Sequence, residues 1–92
     1  MLVLSRKDGE QLLFAGVRFS RMVTVRVTDD CVELYRGRFL LGTLEFAQDR
    51  TVIGIVGVNV EVTLVKYRAC DDATIGFEAP RDEVRIVRAE CL

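Results

Sequence analysis

Hydrophobic and polar residues alternate along most of the chain with a period of two, which is typical of half-buried β-strands. The clearest run is 58–64, in which four apolar residues alternate with three polar ones. The same alternation predicts further strands at 23–28, 32–35, 74–78 and 84–88. Aspartate pairs at Asp29–Asp30 and Asp71–Asp72 predict turns. The pattern therefore predicts a small all-β protein, either an antiparallel sheet or a barrel-like fold.

The beginning of the chain departs from this alternation. Residues 1–4 are all apolar, which predicts a strand that is buried on both faces or lies in a subunit interface. Asp8–Gly9 favours a tight turn with a positive φ, and Gln11–Phe14 then forms a second strand. Only Phe39–Gln48 indicates a short helix, and a strand pair broken near Gly42 explains that segment nearly as well.

One internal similarity is visible. Residues 23–30 resemble residues 60–72 in rhythm. We interpret them as two similar hairpin strands and not as a true repeat, because solenoid repeats need at least three copies.

Composition excludes several classes of function. The 92 residues are enough for one domain, 1–92. There is no histidine, so the commonest general acid–base group and metal ligand is absent. No phosphate-cradling glycine loop or nucleophile elbow is present either. We expect neither catalysis, nor a cofactor or metal, nor a small-molecule substrate.

Charge and cysteine usage limit the partners and the compartment. The net charge of −1 gives no global basic field, so a nucleic-acid site must be local. Three scattered cysteines, Cys31, Cys70 and Cys91, are typical of reduced thiols in a cytosolic protein. The sequence has no signal peptide and no run of roughly 20 apolar residues. We therefore expect a cytoplasmic location and no membrane association.

Two segments at opposite ends of the chain carry the functional signal. The first is M-L-V-L-S-R-K-D-G-E (1–10), and the second is I-G-F-E-A-P-R (75–81), followed by V-R-I-V-R-A-E (84–90). Together they resemble the carbon storage regulator family (CsrA, also called RsmA), with its opening M-L-[IV]-L-[TS]-R-[RK]-x-G-E and later I-G-[hydrophobic]-x-A-P-[KR]. The resemblance covers about 1–14 and 56–90 and leaves an insertion at about 15–55.

The resemblance implies a fold and a function. Members are small β proteins whose two chains interleave strands into a homodimer, with the first strand of one subunit beside the last strand of the other. Each such pairing forms one of two identical RNA sites for GGA-containing single-stranded loops. We therefore expect a post-transcriptional regulator that binds messenger RNA 5′ leaders and regulatory small RNAs and controls translation initiation and message stability. The resemblance also implies a flagellar-assembly-type protein antagonist.

Eight positions match the family's RNA-contacting residues: Leu4, Ser5, Arg6, Lys7, Ala79, Pro80, Val87 and Arg88. Two departures affect this carry-over. One extra residue within Arg81–Glu83 changes the expected register of Arg88, because a one-residue slip reverses the facing of a strand. The family's C-terminal helix is missing or vestigial in a chain that stops at Leu92.

Other readings stay open. Without the family, Arg88 is an ordinary surface cation or a salt-bridge partner of Glu90. Arg36–Arg38 in the insertion either extends a basic surface or forms a hairpin turn with solvated flanks. Three aromatic residues there either stack on bases or, by default, pack in the core of the added hairpin: Tyr35, Phe39 and Phe46. The rival function is a structural or protein-interaction module whose insertion replaces or masks the RNA surface.

Overall fold

The computed structural model describes residues 1–91 as two antiparallel β-sheets. The elements in chain order are β1 (Leu2–Lys7), β2 (Gln11–Gly16), β3 (Ser20–Val27), β4 (Val32–Arg36), β5 (Phe39–Leu44), β6 (Arg50–Ile55), β7 (Val58–Arg68), β8 (Asp72–Glu78), β9 (Val84–Arg88) and a 3₁₀ turn (Ala89–Cys91). The all-β prediction is confirmed. The two sheets do not close into a barrel.

The sheets pack face to face around one core. The four-stranded sheet has the order β1-β8-β7-β6, and the five-stranded sheet has the order β5-β4-β3-β2-β9. Alternation places the apolar side chains between them, as β7 shows, with Val60, Val62 and Leu64 buried and Glu61 exposed. Phe14 of one sheet meets Phe77 of the other edge to face, with ring centroids 5.7 Å apart. Residues far apart in the chain therefore share one core.

Residues 15–55 supply β3 to β6, and of the two alternatives for Phe39–Gln48 the short helix is wrong. This segment begins with β5, which pairs with β4. Leu34 lies opposite Gly42 and Tyr35 lies opposite Leu40, so Leu41 is the extra residue of a β-bulge. The bulge shifts the alternation by one position, and this shift produced the helix-like spacing of leucines.

The first strand is an edge strand of the four-stranded sheet. It pairs only with β8, in a register that sets Leu4 opposite Ile75. Leu2 and Val3 are 40% and 47% exposed, so β1 is not buried on both faces within one chain. Their apolar surface is left open along this side of the molecule.

Sheet order reveals an internal twofold relation between the halves of the chain. We match β1 with β5, β2 with β6, β3 with β7, and β4 with β8. Exchanging each strand for its match turns the order β1-β8-β7-β6 into β5-β4-β3-β2, which is the five-stranded sheet without β9. Each half thus gives its first strand to the sheet built by the other half. The similar segments 23–30 and 60–72 belong to β3 and β7, which are equivalent strands. Their similarity therefore reflects a twofold structural repeat and not only two similar hairpins.

The turns after β1 and β5 carry matching hydrogen bonds. In the first turn, Gly9 N–H donates to the Val25 carbonyl over 2.8 Å, and Val25 N–H donates to the Glu10 carbonyl over 2.9 Å. In the second turn, Gln48 N–H donates to the Leu64 carbonyl, and Leu64 N–H donates to the Asp49 carbonyl. Gly9 and Gln48 both have positive φ, 86° and 71°. The twofold relation therefore extends to the local backbone.

The relation has one exception, because β9 pairs with β2 and no described strand pairs in the same way with β6. The outer edge of β6 is consequently unpaired within residues 1–91. Both end strands of the chain are instead paired inside the chain, β1 with β8 and β9 with β2. The interleaved homodimer stays a prediction, and one chain already contains strand exchange between its own halves.

Candidate nucleic-acid interface

The two motif segments meet on one side of the molecule. β1 ends the four-stranded sheet and β9 ends the five-stranded sheet. Between them lies an open cavity of about 330 Å³, lined by Met1, Leu2, Phe77, Glu78, Ala79, Arg81, Val84, Arg85 and Ile86. We call this cavity and the flanking parts of β1 and β9 the seam. The seam joins the beginning and the end of the same chain.

Arg6 is built into the protein below the seam. Its side chain is only 4% exposed, and its guanidinium donates two hydrogen bonds to the Glu90 carboxylate, of 2.9 and 2.8 Å. It also donates to the carbonyls of Gln11 and Ser5 over 3.0 and 2.9 Å. These contacts tie β1 to the turn that follows β9. The structure therefore places Arg6 in a supporting position, with its donors engaged by the protein itself.

Glu90 is the functional neighbour that the sequence analysis did not single out. The hydrogen bonds from Arg6, with a smaller contribution from the nearby Arg88 charge, lower the pKa of Glu90 to about 2. Glu90 was considered there as a partner for Arg88, whereas the structure pairs it with Arg6. The signal that could have found this pair is the acidic residue at the end of the second segment, V-R-I-V-R-A-E.

Arg88 is the exposed cation at the end of β9. It lies opposite Leu12 and shares a sheet face with Val84 and Ile86. No salt bridge of Arg88 occurs among residues 1–91. Because Glu90 is engaged by Arg6, the Arg88 guanidinium is left available for a ligand phosphate or base.

A turn at Pro80–Val84 leads into β9. Glu83 N–H and Val84 N–H both donate to the Pro80 carbonyl over 3.1 Å. The turn lets Val84 become buried and Ile86 pack against the core, as the alternation of β9 requires. Pro80 itself is exposed, and Ala79 is half-buried at the seam.

The remaining predicted residues divide between two faces. Leu4 packs against the core on the inner side of β1. Ser5 and Lys7 are exposed on the outer side, where the Ser5 and Thr74 hydroxyl groups lie 3.0 Å apart. Val87 is half-buried on the outer face of the other sheet, opposite Leu13. Of the eight predicted residues, only Ala79 lines the cavity of the seam. Leu4, Arg6 and Arg88 lie farther along β1 and β9, and Ser5, Lys7 and Val87 lie on outer faces of the two sheets.

The seam combines apolar surface, strand edges and cations. Met1, Leu2 and Ile86 supply apolar surface, and Arg81, Arg85 and Arg88 are exposed. Unpaired strand edges present main-chain donors and acceptors that can read the edges of unstacked bases. Such a surface suits a single strand whose bases are splayed out.

Residues 1–91 contain neither a group of metal ligands nor a membrane-spanning helix. No group of three or more potential metal ligands lies together in this range. No helix in it reaches the length and hydrophobicity needed to cross a membrane.

Comparisons with known proteins add no assignment. No family model, no curated protein and no solved structure matches this chain.

Proposed function

We propose that this chain binds single-stranded RNA at the seam between β1 and β9 and acts as a cytoplasmic regulator of translation. The observation that carries the proposal is the convergence of both motif segments, 1–10 and 75–90, on one cavity. Segments so distant in sequence are brought together by the fold, and they are the same segments that resemble the carbon storage regulator family.

The chemistry of the seam supports a loop or single strand over a duplex. Bases in an RNA loop are unstacked, so apolar side chains and guanidinium planes can cover their faces. A duplex keeps its base faces stacked inside the helix. A few cations such as Arg88 and Arg85 are sufficient for the phosphates, which is compatible with a net charge of −1.

The arrangement also changes the expected stoichiometry. In the interleaved homodimer each RNA site needs strands from two chains. Here β1 and β9 of a single chain line the same cavity. We therefore propose one seam site per chain, with GGA-containing loops of messenger RNA leaders and small RNAs as ligands.

Fluorescence anisotropy tests the site. The probes are a labelled hairpin with GGA in its loop and the same hairpin with the loop scrambled. Arg88→Ala should weaken binding of the GGA hairpin by roughly tenfold or more, the scale of one specific contact. The matched control is Arg50→Ala, which removes an exposed arginine of β6. It should leave the affinity unchanged.

Two results would contradict the proposal. Equal affinity for both hairpins would refute recognition of the GGA loop. Equal changes in affinity for Arg88→Ala and Arg50→Ala would refute the seam as the binding site. Either result would favour the protein-interaction module, whose best candidate surface is the unpaired outer edge of β6. Light scattering on the RNA complex separately counts chains and RNA molecules, and we expect equal numbers.

A further inference from the structure

A second basic surface lies at the end of the five-stranded sheet where β2 and β4 finish. Its residues are exposed arginines and phenylalanines on neighbouring loops and strand ends, and we call it the Arg–Phe strip: Arg18, Phe19, Arg21, Arg36, Arg38 and Phe39. None of these residues belongs to the motifs that resemble the family. All of them lie in the insertion.

Aromatic faces and guanidinium groups are interleaved in the strip. The Arg21 guanidinium lies 4.7 Å from the centre of the Phe19 ring, and the Arg36 guanidinium lies 5.5 Å from the centre of the Phe39 ring. Phe19 is 44% exposed and Phe39 is 68% exposed. The default expectation that Phe39 packs in the core of the hairpin is therefore wrong, and its ring faces solvent beside a cation.

The strip borders an open cavity. Phe19, Arg21 and Arg36 line it together with the end of β6 and the beginning of β7, and its volume is about 350 Å³. Among residues 1–91, no carboxylate lines this cavity, whereas Glu83 and Glu33 line neighbouring cavities with Arg18 and Arg38. Ligand phosphates would therefore meet Arg21 and Arg36 with the least competition.

Charges are separated along the molecule. Four arginines outside the strip, one of them buried, form salt bridges with carboxylates: Arg6, Arg26, Arg50 and Arg68. None of the strip arginines does so among residues 1–91. The near-neutral total charge thus hides a locally positive surface.

The twofold relation between the halves of the chain relates the position of the strip to that of the seam. β4 is equivalent to β8, so the loop that follows Arg36 corresponds to the loop that follows Glu78. The loop after Glu78 leads into Ala79–Pro80 at the seam. On the equivalent side, no strand within residues 1–91 pairs with the outer edge of β6. The strip consequently occupies the position of a second seam that lacks its last strand.

We propose that the Arg–Phe strip is a second binding surface for single-stranded nucleic acid, and it recognises the backbone and base faces without sequence preference. Guanidinium groups bind phosphates in a bidentate manner, and exposed rings stack on bases of any kind. This combination favours a flexible single strand over a duplex, which offers phosphates only. The proposal goes beyond the seam site and does not depend on it.

The test uses a 12-nucleotide oligouridine, which contains no GGA, and measures its affinity over a range of salt concentrations. Arg21→Gln/Arg36→Gln should weaken binding by roughly tenfold. It should also reduce the slope of log affinity against log salt by about 1.4, since each neutralised phosphate of a single strand contributes about 0.7. Arg50→Gln/Lys66→Gln, a charge-matched double variant of exposed residues on β6 and β7, should change neither quantity.

Two further arms separate stacking from charge and this surface from the seam. Phe39→Leu should weaken oligouridine binding by about fivefold or more, because one stacking platform is removed while the charge is kept. A short GGA hairpin should bind Arg21→Gln/Arg36→Gln as well as the original protein.

If that variant keeps full oligouridine affinity and salt slope, the strip is not a binding surface. If Arg21→Gln/Arg36→Gln weakens binding of oligouridine and of a 12-base-pair RNA duplex by the same factor, the preference for single strands is refuted. If Arg88→Ala binds the GGA hairpin as tightly as the original protein, the seam site is refuted and the strip is not affected.

Discussion

The Arg6–Glu90 pair provides the sharpest test of how the seam is held together. We consider Arg6→Met, which keeps an unbranched side chain of similar length and removes all guanidinium donors. The substitution deletes two charge-assisted hydrogen bonds to Glu90 and two hydrogen bonds to main-chain carbonyls. Glu90 is 54% exposed, so it stays hydrated after the change.

The magnitude follows from these contacts. Hydrogen bonds to charged groups contribute about 1.5–3 kcal/mol each when buried, and partial exposure of Glu90 calls for the low end of that range. We therefore expect Arg6→Met to lower the free energy of unfolding by about 2–4 kcal/mol. A domain of this size has an unfolding entropy of about 0.19 kcal/mol/K, so the melting temperature should fall by roughly 10–20 °C.

Thermal unfolding followed by circular dichroism measures this change. The matched control is Arg26→Met, which removes an arginine paired with Asp8 over 2.9 Å where both side chains are substantially exposed. Exposed pairs contribute about 0–1 kcal/mol, so the control should lose no more than about 5 °C. If Arg6→Met and Arg26→Met lower the melting temperature equally, the supporting role assigned to Arg6 is refuted. If the pair acts as assigned, adding Glu90→Ala to Arg6→Met should lower the free energy of unfolding little further, since the partner of Glu90 is already removed.

Two further predictions concern acid stability and the turns. The pKa of Glu90 is lowered to about 2 from 4.5, so its pairing stabilises the fold above about pH 4.5 and is lost as the pH falls toward 2. Glu90→Gln should lower the melting temperature at pH 7, and its difference from the original protein should shrink between pH 5 and pH 2.5; a constant difference would contradict the pairing. Gln48 has φ 71° at the position equivalent to Gly9, so Gln48→Gly should raise the free energy of unfolding by about 0.5–1 kcal/mol and Gly9→Ala should lower it by about 1–2 kcal/mol. Urea denaturation measures both changes, and effects of the same sign would contradict the equivalence of the two turns.

Local patterns were sufficient for much of the fold. Strict alternation located β7 and β9 from single runs of sequence, because side chains on successive strand residues point to opposite faces. Asp8–Gly9 was correctly predicted as a turn, and Gly9 has a φ of 86°. Where the pattern was broken, at the bulge after Leu40, alternation left a short helix and a broken strand pair as alternatives, and the helix is wrong. The bulge is decided by pairing with β4, which the spacing of leucines does not reveal.

The candidate site was likewise predictable only in part from the sequence. Both motif segments are visible in the sequence, and the resemblance picked out Arg6 and Arg88 among eight candidates, with Arg88 the foremost. Their different roles depend on a contact over 84 positions, in which Glu90 binds Arg6 and leaves Arg88 exposed. Similarly, Phe39 looked like a core residue until β5 was placed at the edge of a sheet.

The sequence by itself determined the all-β class, most strand positions and the two segments that carry the proposed function, since these depend on local periodicity and residue type. Only the tertiary structure decided which strands are neighbours, because pairing depends on the packing of a shared core by residues far apart in the chain. That packing set β1 beside β8 and β9 beside β2, and so assembled the seam from the two ends of one chain.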